Sequence, residues 1–127
     1  MYSIGEVAKM IGVSTHTLRY YEKEKIIIPN RNKTGDRMYE VSHLKWLLFV
    51  LKLKETQMPI AKIKQYADLV REGEHTTFER LALLEEHQRS IQDQLENLQS
   101  TEKMLQGKIT TYKAFLNDQS PSMSKST

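Results

Sequence analysis

Ser3-Ile4-Gly5-Glu6-Val7-Ala8-Lys9-Met10-Ile11-Gly12-Val13-Ser14-Thr15-His16-Thr17-Leu18-Arg19-Tyr20-Tyr21-Glu22 is the stretch that decides the fold. Ser3 and Glu6 have capping-box spacing: a hydroxyl to cap a first turn and a carboxylate three residues on. Ile4, Val7, Ala8 and Ile11 then share one helical face. Gly12 can end that helix in a left-handed conformation. Ser14 can cap a second helix, from about Thr15 to Lys25, with Leu18 and Tyr21 or Glu22 one turn apart. Two short helices joined at Gly12-Val13-Ser14 spell a helix-turn-helix.

Beyond it, Ile26-Ile27-Ile28 is apolar and β-branched, and Pro29 blocks helix continuation. A polar segment from Asn30 to Asp36 and the alternation Arg37-Met38-Tyr39-Glu40 predict a small hairpin, or wing, over 27–40. Ser42 can cap a third helix, 43–56, with Leu44, Trp46, Leu47, Leu48 and Leu51 toward a core. Met58-Pro59 starts a fourth, with Ile60, Ile63, Ala67 and Val70 on its apolar face and Gly73 at its end. Thr76 to Glu79 repeats the capping-box spacing, and helix is expected from there to about Asn117. One apolar seam runs Leu84, Ile91, Leu98, Leu105, Tyr112. The other runs Leu81, Gln88, Leu95, Glu102, Ile109, Leu116. This heptad spacing predicts a coiled coil of about 60 Å and hence a dimer. A long helix in a monomeric bundle is the alternative, but little chain remains to cover both seams. Gln88 and Glu102 are polar interruptions that either fix register or mark a solvated stretch. The expected organisation is a head over 1–75, a dimerisation helix over 76–117 and a disordered polar tail over 118–127.

The bulk numbers agree. A chain of 127 residues suits one small domain with an appendage. With no cysteine, disulfides, thiolate metal sites and thiol switches are excluded. No HxxxH or HxxE spacing occurs, so no metal is expected, and no catalytic constellation or cofactor motif is visible. No apolar run is long enough for a membrane span, and Met1-Tyr2-Ser3-Ile4-Gly5-Glu6 does not resemble a signal peptide; a cytoplasmic protein is expected. Charge is uneven. Residues 1–64 carry 12 Lys/Arg and 6 Asp/Glu, a net of +6; residues 65–127 carry 7 and 10, a net of −3. A basic head on a mildly acidic appendage fits nucleic-acid binding.

The second helix of a helix-turn-helix is the element that enters the major groove. Ser14, Thr15, His16, Thr17, Arg19, Tyr20 and Lys23 are therefore candidates for DNA contact; an Arg can donate two bonds to guanine. In the wing, Arg31, Lys33, Arg37 and Tyr39 suit phosphate contacts. Lys62 and Lys64, near the start of the fourth helix, are further candidates for an anion, with plain solvation as the alternative.

In order and spacing, Ile4-Gly5-Glu6-Val7-Ala8, Val13-Ser14, Thr17-Leu18-Arg19-Tyr20-Tyr21-Glu22 and Arg37-Met38-Tyr39 resemble the N-terminal signature of the MerR family, over about residues 2–116. The resemblance implies a mainly α fold: a winged helix-turn-helix DNA-binding domain, a second helical pair, and a long helix forming an antiparallel coiled coil between two subunits. It implies a homodimer on a near-palindromic promoter spacer, bending and untwisting the DNA so that RNA polymerase can align with both promoter elements. It also assigns Arg19, Tyr20 and Tyr21, with Arg37 and Tyr39, to DNA; for Tyr21, periodicity alone points to the core.

Leu44-Lys45-Trp46, Phe49, Met58-Pro59-Ile60, Ile63, Tyr66 and Glu72-Gly73 are similar to the aldehyde-stress-response branch. Those relatives carry a reactive Cys where this chain has Lys52, so their thiol signal does not carry over. A non-covalent small-molecule effector could sit against Trp46, Phe49, Lys52 and Tyr66; plain packing of Trp46 and Phe49 with Lys52 solvated is the alternative. Two other functions compete with promoter regulation: an architectural or recombination accessory protein that bends DNA without polymerase, and a coiled-coil adaptor whose basic head binds protein.

Overall fold

The computed structural model describes residues 1–118. A short strand β1 (Tyr2–Ser3) leads into α1 (Ile4–Ile11) and α2 (Thr15–Lys23). The wing follows as β2 (Asn30–Arg31) and β3 (Arg37–Tyr39), then α3 (Val41–Glu55) and α4 (Ile60–Glu72). A 3-10 turn at Glu74–Thr76 precedes α5 (Thr77–Asp118), a single helix of 42 residues. The chain divides into two compact units, the first Met1–His87 and the second starting at Gln88.

Both caps of the helix-turn-helix form as the sequence predicts. Glu6 N–H donates to Ser3 Oγ at 3.2 Å while Ser3 N–H donates to Glu6 Oε1 at 2.8 Å. Thr17 N–H donates to Ser14 Oγ at 3.1 Å. Gly12 stands at φ 77°, and the N–H groups of Gly12 and Val13 both return to the Ala8 carbonyl at 3.0 Å.

Two further helix ends stop in a tighter version of this turn, without glycine. At the end of α2, Lys25 takes φ 59°. Its N–H donates to the Glu22 carbonyl, and Ile26 N–H to the Tyr21 carbonyl, both at 2.9 Å. At the end of α3, Gln57 takes φ 74°. Its N–H donates to the Lys54 carbonyl at 3.0 Å, and Met58 N–H to the Leu53 carbonyl at 2.9 Å. This is the Schellman pattern, in which reversal of the chain drops the next apolar residue onto the helix it has just left. Ile26 and Met58 are accordingly buried. The α2 helix therefore ends at Lys23, before the expected Lys25.

The wing is a three-stranded sheet rather than a lone hairpin. β3 is central, flanked by β1 and β2, both antiparallel. Tyr2 faces Tyr39 and Arg31 faces Arg37 across the strands. The N-terminal strand thus ties the wing to the start of α1.

One core joins the head. Val7, Leu18, Tyr21, Ile26, Ile27, Tyr39, Leu47, Val50, Leu53, Met58 and Ile63 are buried together. In α3 the buried face is Leu44, Leu47, Val50 and Leu53, while Leu48 is exposed and Leu51 and Trp46 are half-buried. The N-cap of α3 is Glu40, not Ser42; its N–H donates to His43 Nδ1 at 2.9 Å. In α4 Ile63, Ala67 and Leu69 are buried and Val70 is exposed.

Thr76 does not cap α5. It is buried in the 3-10 turn, where its hydroxyl lies 2.7 Å from the carbonyls of Leu69 and Gly73 and accepts from Arg80 Nε at 3.1 Å. The first turns of α5 pack into the head through Leu83 and His87. The second unit is helix through Asp118, one residue past the expected end. The tail expected at 118–127 otherwise lies outside the described residues.

Candidate nucleic-acid interface

The polar side chains of α2 divide by role. Ser14 is occupied as N-cap, and its Oγ lies 3.1 Å from Thr17 Oγ1. Thr15 Oγ1 accepts from Arg19 Nη1 at 3.4 Å, an i,i+4 pair that lays the guanidinium along the helix. His16, Arg19, Tyr20 and Lys23 are exposed. These four form the part of the face that can meet a base edge or a phosphate.

Tyr21 and Tyr39, which the resemblance assigns to DNA, lie in the core of the head. Tyr21 is buried, its ring 6.0 Å from that of Tyr20. Tyr39 is 0% exposed, and its buried hydroxyl has no hydrogen-bond partner. Burial pushes both phenols above their ordinary pKa, helped by Tyr20 for Tyr21 and by the negative charge of Glu22 for Tyr39. Tyr39 at 0% exposure and Tyr21 at 5% both pack into the core of the head.

The wing arginines are held from within. Arg31 Nη2 pairs with Glu22 Oε2 at 2.6 Å, and Arg37 Nε pairs with Glu22 Oε1. One carboxylate on the last turns of α2 therefore engages both strands of the hairpin. The bond from Glu22 raises the pKa of Arg37 further above its ordinary value. Arg31 Nη1 also donates to the Gly35 carbonyl at 3.1 Å. The tip is closed by Asn32, whose Oδ1 accepts from Thr34 N–H at 3.0 Å and Asp36 N–H at 2.9 Å. Lys33 is exposed at this tip. Sequence reasoning missed Glu22 because its partners lie nine and fifteen residues away.

Lys62, a candidate on α4, is paired within the chain. Its Nζ donates to Glu86 Oε1 on α5 at 2.8 Å. Lys64 lies 3.9 Å from Glu24.

Three of the four residues expected to line an effector pocket do meet. Trp46 stacks on Tyr66 with centroids 5.9 Å apart and an interplanar angle of 11°. Phe49 lies 6.1 Å from Trp46 and 6.0 Å from Tyr66. Trp46 Nε1 donates to the Ile26 carbonyl at 2.8 Å. Lys52 is not among them: its side chain is 78% exposed and its Nζ donates to Glu55 Oε1 at 3.0 Å.

Of the heptad residues, Leu84 and Ile91 are half-buried. Leu81, Leu95, Leu98, Leu105, Ile109, Tyr112 and Leu116 are all exposed in the single chain. Among the described residues no helix is long and apolar enough to cross a membrane, and no group of three or more His, Asp or Glu could hold a metal.

Comparison with known proteins agrees with this geometry. Two family models match, the first described as "MerR HTH family regulatory protein" over residues 2–69, the second as "MerR, DNA binding" over residues 44–108. An uncharacterized HTH-type transcriptional regulator of Haemophilus influenzae is 34% identical over 113 residues, covering 87% of this chain and 83% of that relative. A MerR family transcriptional regulator from Bacillus thuringiensis superposes with a TM-score of 0.77 at 37% identity, over 86% of this chain and 96% of that one. A structure described as HiNmlR, a MerR family regulator lacking the sensor domain, bound to promoter DNA, gives a TM-score of 0.84 at 31% identity, over 91% and 93%.

Proposed function

The chain belongs to the MerR family of DNA-binding transcription regulators, and on that premise we propose that it binds a near-palindromic promoter spacer as a homodimer and distorts it to control transcription initiation. The observation that carries this reading is the exposed face of His16, Arg19, Tyr20 and Lys23 on α2, beside the wing arginines on the basic half of the chain. A groove helix reads bases, and a basic wing fixes it on the phosphates. RNA polymerase enters only through the shape of the DNA, and the place of action is the cytoplasm. The similarity to a regulator bound to promoter DNA favours this over an architectural role.

Dimerisation through residues 76–117 is supported by the exposed seam on α5, which a monomer would leave in water. Its charge pattern supports the antiparallel arrangement. Residues 79–96 carry five Asp/Glu and two Arg, whereas 103–116 carry three Lys and no acid. Antiparallel pairing brings the acidic stretch of one helix beside the basic stretch of the other. Within the head, the rings of Trp46, Phe49 and Tyr66 offer a surface to a small apolar effector. Lys52, paired with Glu55, takes no part in that surface.

The test is selection of bound sequences from the genome of origin, followed by salt titration. Two half-sites related by a dyad, with affinity falling steeply as salt rises, are expected. A single half-site, or no preferred sequence, overturns the reading.

A further inference from the structure

We propose that Glu22 is a positioning residue for DNA binding, fixing the wing to the groove helix so that both elements meet the duplex in one register. The inference rests on the DNA-binding reading above and adds to it a residue that touches no DNA. Arg31 and Arg37 face each other across the antiparallel β2–β3 pair, and like charges directly opposite repel. Glu22 occupies both: Oε2 takes Arg31 Nη2 at 2.6 Å, and Oε1 takes Arg37 Nε. The carboxylate is only 22% exposed, so it is shielded from water more than a surface ion pair is. Such charge-assisted bonds have directional geometry. The bond from Arg31 to the Gly35 carbonyl carries the same restraint to the tip, beside exposed Lys33.

A negative charge next to a DNA-binding face opposes binding by simple electrostatics. Glu22 therefore makes opposite predictions as a charge and as a positioner. As a charge, its neutralisation strengthens every complex. As a positioner, its neutralisation loosens the wing, so the specific complex weakens while non-specific binding holds or strengthens.

The experiment compares Glu22→Gln with the native full chain in two measurements. In the first, affinities for the selected operator and for an unrelated duplex are measured at one salt concentration. The operator affinity is expected to fall about tenfold, with the unrelated duplex unchanged or bound more tightly. A parallel rise for both duplexes overturns the proposal, as does a parallel fall. The second measurement needs no DNA: amide hydrogen exchange of the free protein. The wing amides of Asn32, Gly35 and Asp36 are expected to exchange several-fold faster in Glu22→Gln while α1 and core amides keep their rates. Unchanged wing exchange, or acceleration spread evenly over the head, overturns the proposal. If the native chain shows no operator preference, the DNA-binding reading fails by itself, and the exchange result still decides whether Glu22 holds the wing.

Discussion

The Thr56 hydroxyl lies 2.8 Å from His87 Nε2, joining the end of α3 to the third turn of α5 across 31 residues of sequence. Thr56 Oγ1 also lies 2.8 Å from the Lys52 carbonyl, to which its hydroxyl can donate. With its proton so directed, the oxygen accepts from the imidazole N–H. His87 is buried, as is Leu83 one turn before it, so truncation removes packing together with the bond between the imidazole and Thr56. His87→Ala is expected to cost about 1–3 kcal/mol of stability. Urea denaturation at one fixed protein concentration checks this, because any self-association makes apparent stability depend on concentration. His87→Gln, which keeps an N–H donor, should recover part of the loss; an unchanged midpoint for His87→Ala would make the contact incidental.

Tyr39 has a hydroxyl without a partner, so removing it should help. Tyr39→Phe is expected to raise stability by about 1 kcal/mol and leave operator affinity unchanged. The pH dependence has a definite sign. The folded state holds the phenol protons of Tyr21 and Tyr39 above the ordinary value of 10.0. Their contribution is complete below that pH and lost as pH rises through the raised folded values. Thermal unfolding from pH 7 upward should show Tyr39→Phe losing stability less steeply above pH 10. A drop in operator affinity would instead return Tyr39 to the DNA.

Arg19 is exposed on α2 and laid along it by Thr15. Arg19→Ala should flatten base preference at one position in each half-site, costing about 1–3 kcal/mol there. Binding to a panel of single-base operator variants measures it. Uniform weakening across the panel would make Arg19 a phosphate contact.

Leu98 is 68% exposed in the single chain, midway along the seam. Leu98→Glu therefore disturbs nothing inside a protomer but places a charge in the proposed interface, at several kcal/mol of association energy. Sedimentation should find a monomer with the far-UV signal of the head retained. A dimer of undiminished affinity means that the seam lies elsewhere.

The legible parts of the sequence were those governed by contacts a few residues apart. Ser3 with Glu6, Ser14 with Thr17, and Gly12 announce their turns locally, and α5 runs long enough without a helix-stopping cluster to be read as one helix. In α3 the phase was not legible, because apolar residues run almost all round the helix. Leu48 and Val50 look equally suited to the core, and only packing into the core of the head selects Val50. β1 is two residues long, too short for alternation to show, so its pairing with β3 left no trace. Glu22 reads as an ordinary surface acid until the wing folds back onto it. Tyr39 reads as a DNA contact in a motif rich in arginine, whereas the sheet turns its side chain inward.

The stops at Lys25 and Gln57 leave unused stability in the head. A non-glycine residue in the left-handed region costs roughly 1 kcal/mol, and both side chains are exposed. Gln57→Gly would relieve that cost without changing charge, at a helix end remote in sequence from the groove helix and the wing. Such a change behaves as a second-site suppressor. Paired with a substitution whose only defect is instability, it restores promoter binding at elevated temperature. Paired with Arg19→Ala, it restores the melting temperature and leaves the binding defect in place. The turn that buries Met58 thus offers a genetic means of sorting damaged scaffolds from damaged contacts.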